Sequence, residues 1–483
     1  MSNRPELSLD PQNWDTLKQI GHQMVDDMFD YLNNIRNEPV WRPVPERSKE
    51  YFEEDLPQRP QDIASLYEAF KTHILPYPQG NIHPRFWGWV MGSGTPVAML
   101  AEMLAAAMNS NVCIDGHAAV LVEQQVLNWC KQLVGFPETA SGLLTSGASM
   151  ANLTALIAAR EHISGGSVRR LGLQAEPNRM VLYCSMEAHH CIRKAAEVMG
   201  LGAASVSMIP VDDQYRMRTD LLEEIIQNDL AAGRFPFCIV GNAGTVNTGA
   251  IDPLSELAAL ARKYSLWFHI DGAFGAFARN IPEYADTLAA IGEADSLAFD
   301  LHKWMSVPYE AGCVLIRDEP AHRKAYEQTA NYLIRHERQQ GSGQFSFGDY
   351  GIELSRGFKA LKVWMTLKHY GAFAFTALIK QNIAQARYLS ESVQQHPQLE
   401  LTAPTALNIV CFRYVRPGWP EEKTRAVNQE IMLHMREKGA AIVSATILKG
   451  RYTLRAAIVN HRSRMEDFDF LVEQVVRNGH ELG

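Results

Sequence analysis

The stretch SLAFDLHKW (296–304) joins an apolar run to a polar His-Lys pair. Short apolar runs bounded by polar residues predict buried β-strands, so Lys303 stands at the end of a predicted strand. Inside a cleft, burial there would leave part of the lysine neutral and able to form an imine with a carbonyl compound. A solvated lysine at a strand end has the same sequence pattern, so this stretch alone does not identify a functional lysine.

Similar apolar runs precede and follow this one, and helical patterns separate them. Apolar strands that alternate with helices predict an α/β fold whose mostly parallel sheet is covered on both faces. Ligands bind such sheets beyond the carboxyl ends of the strands. The other predicted strands are MVLYCS (180–185), SVSMIPV (205–211), FCIVGNAG (237–244), LWFHIDGAFG (266–275) and CVLIRD (313–318), and the clearest helices are TDLLEEIIQNDLAAG (219–233) and LSELAALARKY (254–264).

The chain of 483 residues is long for a single core, so we expect more than one unit. Residues 1–95 contain helical pieces broken by proline-rich links and predict an N-terminal arm that could serve in dimerisation. Residues 96–370 form the predicted large α/β domain. Residues 375–483 carry a mixture of helical and strand patterns that predicts a small α+β domain.

The composition limits the classes of function. The formal net charge is −8 and no run of basic residues occurs, so neither nucleic acid nor an anionic membrane is an expected partner. The N-terminal sequence lacks a signal pattern and no apolar stretch is long enough to span a bilayer, which predicts a cytoplasmic protein. A small-molecule substrate fits best. Free, buried thiols are expected for the scattered cysteines, Cys113, Cys130, Cys184, Cys191, Cys238, Cys313 and Cys411.

Two further strand ends carry residues that one cofactor would need. The run WFHIDGAFG (267–275) places Asp271 at a strand end, followed by the small residues Gly272 and Ala273. A carboxylate there could pair with the ring nitrogen of pyridoxal phosphate, although a lone buried Asp is often a turn residue. The run CSMEAHHCIRKAAE (184–197) ends a strand before two histidines, and a histidine ring could stack on a flat ligand.

The segment LLTSGASMANLTALIAAR (143–160) runs from a strand through small residues into a helix. The amides at the start of that helix would receive a phosphate, and Ala148 and Ser149 would let the backbone approach it closely. An ordinary helix cap has the same appearance. The order of the four features is more informative than any one of them: a phosphate site, a histidine, a strand-end Asp and a strand-end His-Lys pair.

In this order of motifs, from HPRFWGW (83–89) to YTLRAAIV (452–459), the chain resembles the group II pyridoxal 5′-phosphate (PLP)-dependent amino-acid decarboxylases. The resemblance implies the aspartate aminotransferase-like fold, called fold type I, with PLP as cofactor. It implies that Lys303 carries PLP as a Schiff base and that Asp271 pairs with the ring nitrogen. The remaining cofactor-binding residues that it implies are Ala148, Ser149, His189, Thr245, Ala273 and His302, and no metal ion is expected.

The resemblance also implies roles around the substrate. Tyr332 corresponds to the tyrosine of a mobile loop that works at the substrate α-carbon, and His189 joins it, Lys303 and Asp271 as a catalytic candidate. We therefore expect removal of the α-carboxylate of an L-amino acid, with an aromatic substrate as one option, in a homodimer. The motif alignment places Trp89, Asn81, Asn111 and Cys113 in the substrate pocket, with Arg356 as a candidate for binding a carboxylate.

Two departures from the family stand out. The family often has Asn-Pro before its His-Lys pair, whereas this chain has Asp300-Leu301. A carboxylate near a phosphate would be repelled, so Asp300 either points away or is engaged by a basic residue. The second departure is the polar character of Asn81 and Asn111 in a pocket that is apolar in the aromatic amino-acid decarboxylases.

Three other functions remain open at the level of sequence. An aldehyde synthase uses the same scaffold, but with phenylalanine in place of the loop tyrosine. A transaminase would need a second clear carboxylate-binding arginine. A non-catalytic binding protein of the same fold would be expected to have lost part of the cofactor set, and none of its main residues is missing.

Overall fold

The computed structural model describes residues 7–176, 179–327 and 345–483. The α-helices of this part, in chain order, are α1 (Trp14–Asn34), α2 (Glu46–Tyr51), α3 (Ile63–Ala69), α4 (Pro96–Met108), α5 (Ala118–Val134), α6 (Ala148–Ile163), α7 (Ser167–Leu171), α8 (Cys191–Val198), α9 (Thr219–Ala231), α10 (Leu254–Tyr264), α11 (Pro282–Ala285), α12 (Glu319–Tyr326), α13 (Lys359–Tyr370), α14 (Ala372–Gln395), α15 (Glu421–Glu437) and α16 (Met465–Leu482).

The strands belong to two sheets. A seven-stranded sheet contains β2 (Ser141–Thr145), β3 (Met180–Ser185), β4 (Val206–Ile209), β5 (Phe235–Asn242), β6 (Trp267–Asp271), β7 (Ser296–Asp300) and β8 (Gly312–Ile316). A five-stranded sheet contains β1 (Phe86–Trp87), β9 (Leu399–Leu401), β10 (Ile409–Tyr414), β11 (Ile442–Leu448) and β12 (Arg451–Ala457).

The seven-stranded sheet has the strand order β2-β8-β7-β6-β5-β3-β4. Its neighbouring strands from β7 to β4 are parallel, whereas β8 is antiparallel to both β2 and β7. The predicted α/β fold with a mostly parallel sheet is therefore confirmed. In the register of the sheet, Asp271 lies beside Asn242 of β5 and Ala298 of β7, so the ends of three strands meet at one edge.

The buried, apolar character of β7 explains why it forms a central strand. All five of its residues are buried, and its bounds coincide with the predicted SLAFD strand. Helix α6 packs against β5, β6, β7 and β8. Its alanines, among them Ala151, Ala155 and Ala158, are fully buried. These small side chains let the helix approach the sheet closely and bring its amino end to the strand ends.

The five-stranded sheet, with the order β1-β11-β12-β10-β9, packs against α14, α15 and α16. Strand β1 comes from the arm predicted over residues 1–95, and it pairs in parallel with β11. Trp87 of β1 is fully buried, and its ring lies 5.2 Å from that of Phe468 in α16. The end of the predicted arm is thus built into the core of the C-terminal sheet.

Helix α1 is long, yet none of its residues, all of which the structure describes, is buried. Apolar side chains such as Trp14 and Phe29 are exposed on it, and Met103, Leu104 and Met108 are exposed on α4. In the described residues, no helix combines the length and the apolar character that crossing a membrane requires.

Candidate active site

A cavity of about 390 Å³ lies at the edge where β6 and β7 end and α6 begins. Parallel strands with a helix amino terminus at the same edge form the usual ligand site of α/β folds. Residues from five segments of the chain line the cavity: Ser146, Gly147, Ala148, Ser149, Met150, His189, Cys191, Asp271, Ala273, Asp300, His302, Tyr309 and Glu310.

Lys303 lies in the turn after β7, and its Nζ atom is 2.9 Å from Oδ2 of Asp300. Burial alone would lower the pKa of Lys303, but the Asp300 carboxylate outweighs this effect, so the pKa lies above its ordinary value. The lowering that burial was expected to produce is thus opposed by Asp300, with Asp271 and Cys191 adding to its effect. Of the two orientations considered for Asp300, engagement by a basic residue is the one observed.

The second oxygen of Asp300, Oδ1, accepts a hydrogen bond of 2.6 Å from the backbone N–H of Ala148. Ala148 is the first residue of α6, so the carboxylate occupies the helix end at which a phosphate was expected. Gly312 permits this arrangement, because a Cβ atom there would lie 2.5 Å from Cα of Gly147. Ser149, one residue further along, is exposed and faces the same cavity.

Asp271 is buried at the end of β6, and both oxygens of its carboxylate accept hydrogen bonds. Its Oδ1 accepts from the N–H of Ala273 at 3.1 Å, and its Oδ2 accepts from Nδ2 of Asn152 at 3.1 Å. Burial raises the pKa of Asp271, whereas Lys303 and these donors oppose the rise. A cationic partner, such as a protonated ring nitrogen, could bind this carboxylate.

Two histidines line the cavity, His189 after the end of β3 and His302 after the end of β7. Burial lowers the pKa of His189 to about 4, with His190 and Lys303 adding to the effect, so its ring is neutral at pH 7. Burial also lowers the pKa of His302, whose Nδ1 accepts from the N–H of Ala311 at 3.1 Å. The ring of Tyr309 lies 4.4 Å from that of His302.

Several predicted site residues are not among those that line the cavity in the described part of the chain. Thr245 is buried in the turn after β5, and its hydroxyl lies 3.1 Å from that of Thr248. Trp89 is half exposed, and Asn81 donates to the carbonyl oxygen of Gly92. Cys113 is buried. Tyr332, predicted to act at the α-carbon, lies outside the described residues.

Arg356 does not reach the cavity, contrary to its proposed role in binding a carboxylate. The guanidinium is buried, donates to the carbonyl oxygens of Val112 and Leu144, and forms an ion pair with Glu123. The N–H of Arg356 donates to Oδ1 of Asn111 at 2.9 Å. These contacts tie the segment around Val112 to β2, so the observed role of Arg356 is structural.

Sequence reasoning missed other residues that build the site. Cys191 lines the cavity directly after the His-His pair, and Tyr309 and Glu310 reach it from the loop before β8. Asn152 and His269 lie behind Asp271. The last two could have been found from spacing, because Asn152 is four residues after Ala148 on α6 and His269 is two residues before Asp271 on β6.

The cavity thus brings together a buried carboxylate, a helix amino terminus and a neutral ring. Lys303 is not one of its lining residues, but the Lys303 amine contacts Asp300, which is. Together these are the groups that PLP requires. A family model for the pyridoxal-dependent decarboxylase conserved domain matches residues 45–415. The chain belongs to the pyridoxal-dependent decarboxylase family. This decarboxylase is a carboxy-lyase that uses PLP to convert an L-amino acid into the corresponding amine.

Relatives of this decarboxylase cover nearly its whole length. It is 33% identical to the aromatic-L-amino-acid decarboxylase of Bacillus atrophaeus, with 93% of each chain covered. It is 29% identical to phenylacetaldehyde synthase of Arabidopsis thaliana over 95% of this chain and 94% of that protein. The fold matches that of Oryza sativa TDC, solved with PLP and tryptamine, with a TM-score of 0.90 at 24% identity over 98% and 100% of the two chains.

Proposed function

We propose that this decarboxylase attaches PLP through Nζ of Lys303 and acts on aromatic L-amino acids. The observation that carries the cofactor assignment is that Asp271 and Asp300, from adjacent parallel strands, line one cavity, and that Nζ of Lys303 lies 2.9 Å from Oδ2 of Asp300. The cavity volume of about 390 Å³ falls within the usual range for cofactor and small-ligand sites.

The two ends of the cavity would bind different parts of the cofactor. The start of α6, with Ala148 and Ser149, would bind the phosphate through backbone amides and the exposed Ser149 hydroxyl once Asp300 releases the Ala148 amide, and His302 lines the cavity nearby. At the other end, Asp271 would favour a proton on the pyridine nitrogen. The neutral ring of His189 would stack on the cofactor, and the small side chain of Ala273 would leave room for it. Thr245 contributes a hydroxyl after the neighbouring strand.

Bound PLP supplies an electron sink for the electron pair that remains when carbon dioxide leaves. Asp271 keeps that sink effective because a carboxylate beside the ring nitrogen favours its protonated form. Asp300 fixes Nζ of Lys303 relative to the first amide of α6, since its two oxygens contact both. Tyr332 donates a proton to the α-carbon, which yields an amine.

The aromatic class of substrate is supported by the relatives, among which is the aromatic-L-amino-acid decarboxylase of Bacillus atrophaeus. We assign Trp89, Asn81, Asn111 and Cys113 to the substrate side. Asn111 and Cys113 adjoin the segment that Arg356 holds in place. Because these side chains do not line the cavity within the described residues of one chain, we propose that a second copy completes the pocket.

A twofold homodimer is supported by the exposed apolar faces of α1 and α4, which a partner would cover. Cytoplasmic location is supported by the cysteines, since all seven are free and buried, as expected for a reducing compartment. The net charge of −8 supports an amino acid rather than a nucleic acid or membrane as the partner.

The test is amine release from a panel of L-amino acids, measured by mass spectrometry with the protein saturated with PLP. Tryptophan, tyrosine and phenylalanine should give amines at the highest kcat/KM, and glutamate, histidine and cysteine sulfinate should react at least tenfold more slowly. Faster release from the acidic amino acids would refute the aromatic assignment. Aldehyde and peroxide in place of amine would support the alternative aldehyde synthase, a chemistry represented among the relatives.

A further inference from the structure

Behind Asp271 lies a chain of hydrogen-bonded side chains that leads away from the cavity. Nδ2 of Asn152 donates to Oδ2 of Asp271, and Oδ1 of Asn152 lies 2.6 Å from Nε2 of His269. Nδ1 of His269 lies 2.8 Å from the hydroxyl oxygen of Ser296, to which Nε1 of Trp267 donates at 2.7 Å. Asn152, His269 and Ser296 are fully buried, so water does not compete for these bonds.

The chemistry of the groups fixes the direction of every bond in this chain. An ionised carboxylate only accepts, so the amide nitrogen of Asn152 faces Asp271 and its oxygen faces His269. Nε2 of His269 must then carry the hydrogen, which leaves Nδ1 as an acceptor for the hydroxyl of Ser296. Burial lowers the pKa of His269 to about 3, which agrees with a neutral ring in one tautomer.

We propose that Ser296, His269 and Asn152 form a positioning chain that keeps Asp271 ionised and thereby keeps the proton on the pyridine nitrogen. The inference rests on the role proposed above for Asp271 and adds residues that do not touch the cofactor. Without the donor in His269, the amide of Asn152 is free to rotate and present its oxygen to Asp271. Two facing acceptors repel each other, and the carboxylate relieves the repulsion by taking a proton.

The other groups around Asp271 make its protonation sensitive to this one donor. Lys303 favours the ionised form, Asp300 disfavours it, and Cys191 lies with its sulfur 4.0 Å from Oδ2. Asn152 also donates to that sulfur at 3.4 Å, so its amide is shared between two acceptors. Since burial already favours the neutral acid, loss of the Asn152 donor would move the shared proton from the ring to Asp271.

The test compares His269→Gln with His269→Leu. A glutamine amide can still donate to Oδ1 of Asn152, whereas leucine cannot. The readout is the ¹⁵N chemical shift of PLP labelled at its pyridine nitrogen and bound to the enzyme, because this shift separates protonated from unprotonated rings. The Leu variant should move the signal toward the unprotonated value and bind PLP about tenfold more weakly, whereas the Gln variant should match the parent.

Ser296→Ala provides a milder second variant, because it removes the hydroxyl that fixes the tautomer of His269 while leaving the ring in place. It should move the ¹⁵N signal in the same direction by a smaller amount. Ser205→Ala is its matched control, since the Ser205 hydroxyl is equally buried and donates to the carbonyl oxygen of Leu201 outside the cavity. That control should leave the signal unchanged.

Asp271→Asn distinguishes a failure of the positioning chain from a failure of the role proposed for Asp271. If it moves the ¹⁵N signal and neither His269→Leu nor Ser296→Ala does, the positioning chain is refuted and the role of Asp271 stands. If Asp271→Asn leaves the signal unchanged, the proposed role of Asp271 itself fails. If His269→Leu binds no PLP, Ser296→Ala provides the test. An unchanged ¹⁵N signal in Ser296→Ala then overturns the inference.

Discussion

Oδ2 of Asp300 lies 2.9 Å from Nζ of Lys303, and both residues belong to the end of β7 and the turn that follows it. Through its other oxygen the same carboxylate binds the first amide of α6. The chain therefore places an anion of its own at the helix end to which we assign the phosphate of PLP. In the proposed function, PLP has to displace Asp300 from both the lysine and the helix amide.

Asp300→Asn should accordingly speed the attachment of PLP. The carboxylate raises the pKa of Lys303, so the neutral amine that attacks the aldehyde becomes abundant only at high pH. Asparagine removes that effect and the repulsion of the phosphate, so the rate of attachment should rise at lower pH and increase about tenfold near pH 7.5. Stopped-flow absorbance of apoenzyme mixed with PLP, recorded from pH 6 to 10, measures this.

His189, His302 and Asp271 also face Lys303, and they remain unchanged in Asp300→Asn. The exposed Asp213, which pairs with Lys449, supplies the control variant Asp213→Asn. Identical pH profiles for Asp300→Asn and the parent would show that Asp300 does not control Lys303.

Lys303→Ala should abolish both amine formation and the yellow colour that borohydride bleaches, because it removes the amine that lies 2.9 Å from the cavity residue Asp300. Absorbance spectra before and after borohydride, together with amine release, measure the two effects. Lys449→Ala, on the surface, should retain both. Decarboxylation by Lys303→Ala at a rate comparable to the parent would refute the assignment.

Asp271→Asn should lower kcat by about a hundredfold or more, because the loss of one charge-assisted bond to the ring nitrogen costs several kcal/mol in the transition state. Steady-state amine release at saturating PLP measures this effect separately from weaker binding of the cofactor. Turnover near the parent value would mean that another residue holds the nitrogen.

Tyr332→Phe should lose amine formation and gain oxygen consumption with an aldehyde product. The electron-rich carbon formed after loss of carbon dioxide takes a proton from the phenol, and oxygen reacts with it when that donor is absent. An oxygen electrode and mass spectrometry of the products distinguish the two outcomes. If Tyr332 only packs against its surroundings, the variant will continue to release amine at the parent rate.

Arg356→Met should lower the free energy of unfolding by about 3 to 5 kcal/mol, because it leaves Glu123 buried without its partner. Denaturant unfolding monitored by tryptophan fluorescence measures the loss. The double variant Glu123→Leu/Arg356→Met should recover most of the stability, since no charge is then left unpaired. A fully stable Arg356→Met protein with a raised KM would instead show that Arg356 contributes to substrate binding.

The sequence was sufficient for the strand-end part of the site. Lys303, Asp271 and Ala148 each follow or begin an element with a clear apolar pattern, and the carboxyl ends of parallel strands must meet at one edge. The predicted strand over residues 296–300 matched β7 at both ends for the same reason. Local patterns therefore placed these residues at the ends of their elements, and of the three Asp271 and Ala148 line the cavity.

The contacts of Asp300 and Arg356 depend instead on how distant segments pack. Asp300 reaches Ala148 because β7 and α6 pack together. In sequence, a guanidinium that binds a substrate cannot be told from one that pairs with Glu123 across the core. The spacing of Asn152 and His269 could place each of them on the same face as a site residue, but their contact depends on how α6 packs against β6.

Both sheets join an early strand to a late one: β1 pairs with β11 at Phe86 and Ile442, and β2 pairs with β8 at Ser141 and Ile316. During synthesis on the ribosome, neither early strand has a partner until the later strand has emerged. The apolar side chains of the nascent chain stay exposed for that interval, and such long-range pairing folds slowly. Chaperones that bind nascent chains, and translation slow enough to let them act, would therefore determine how much active enzyme a cell obtains.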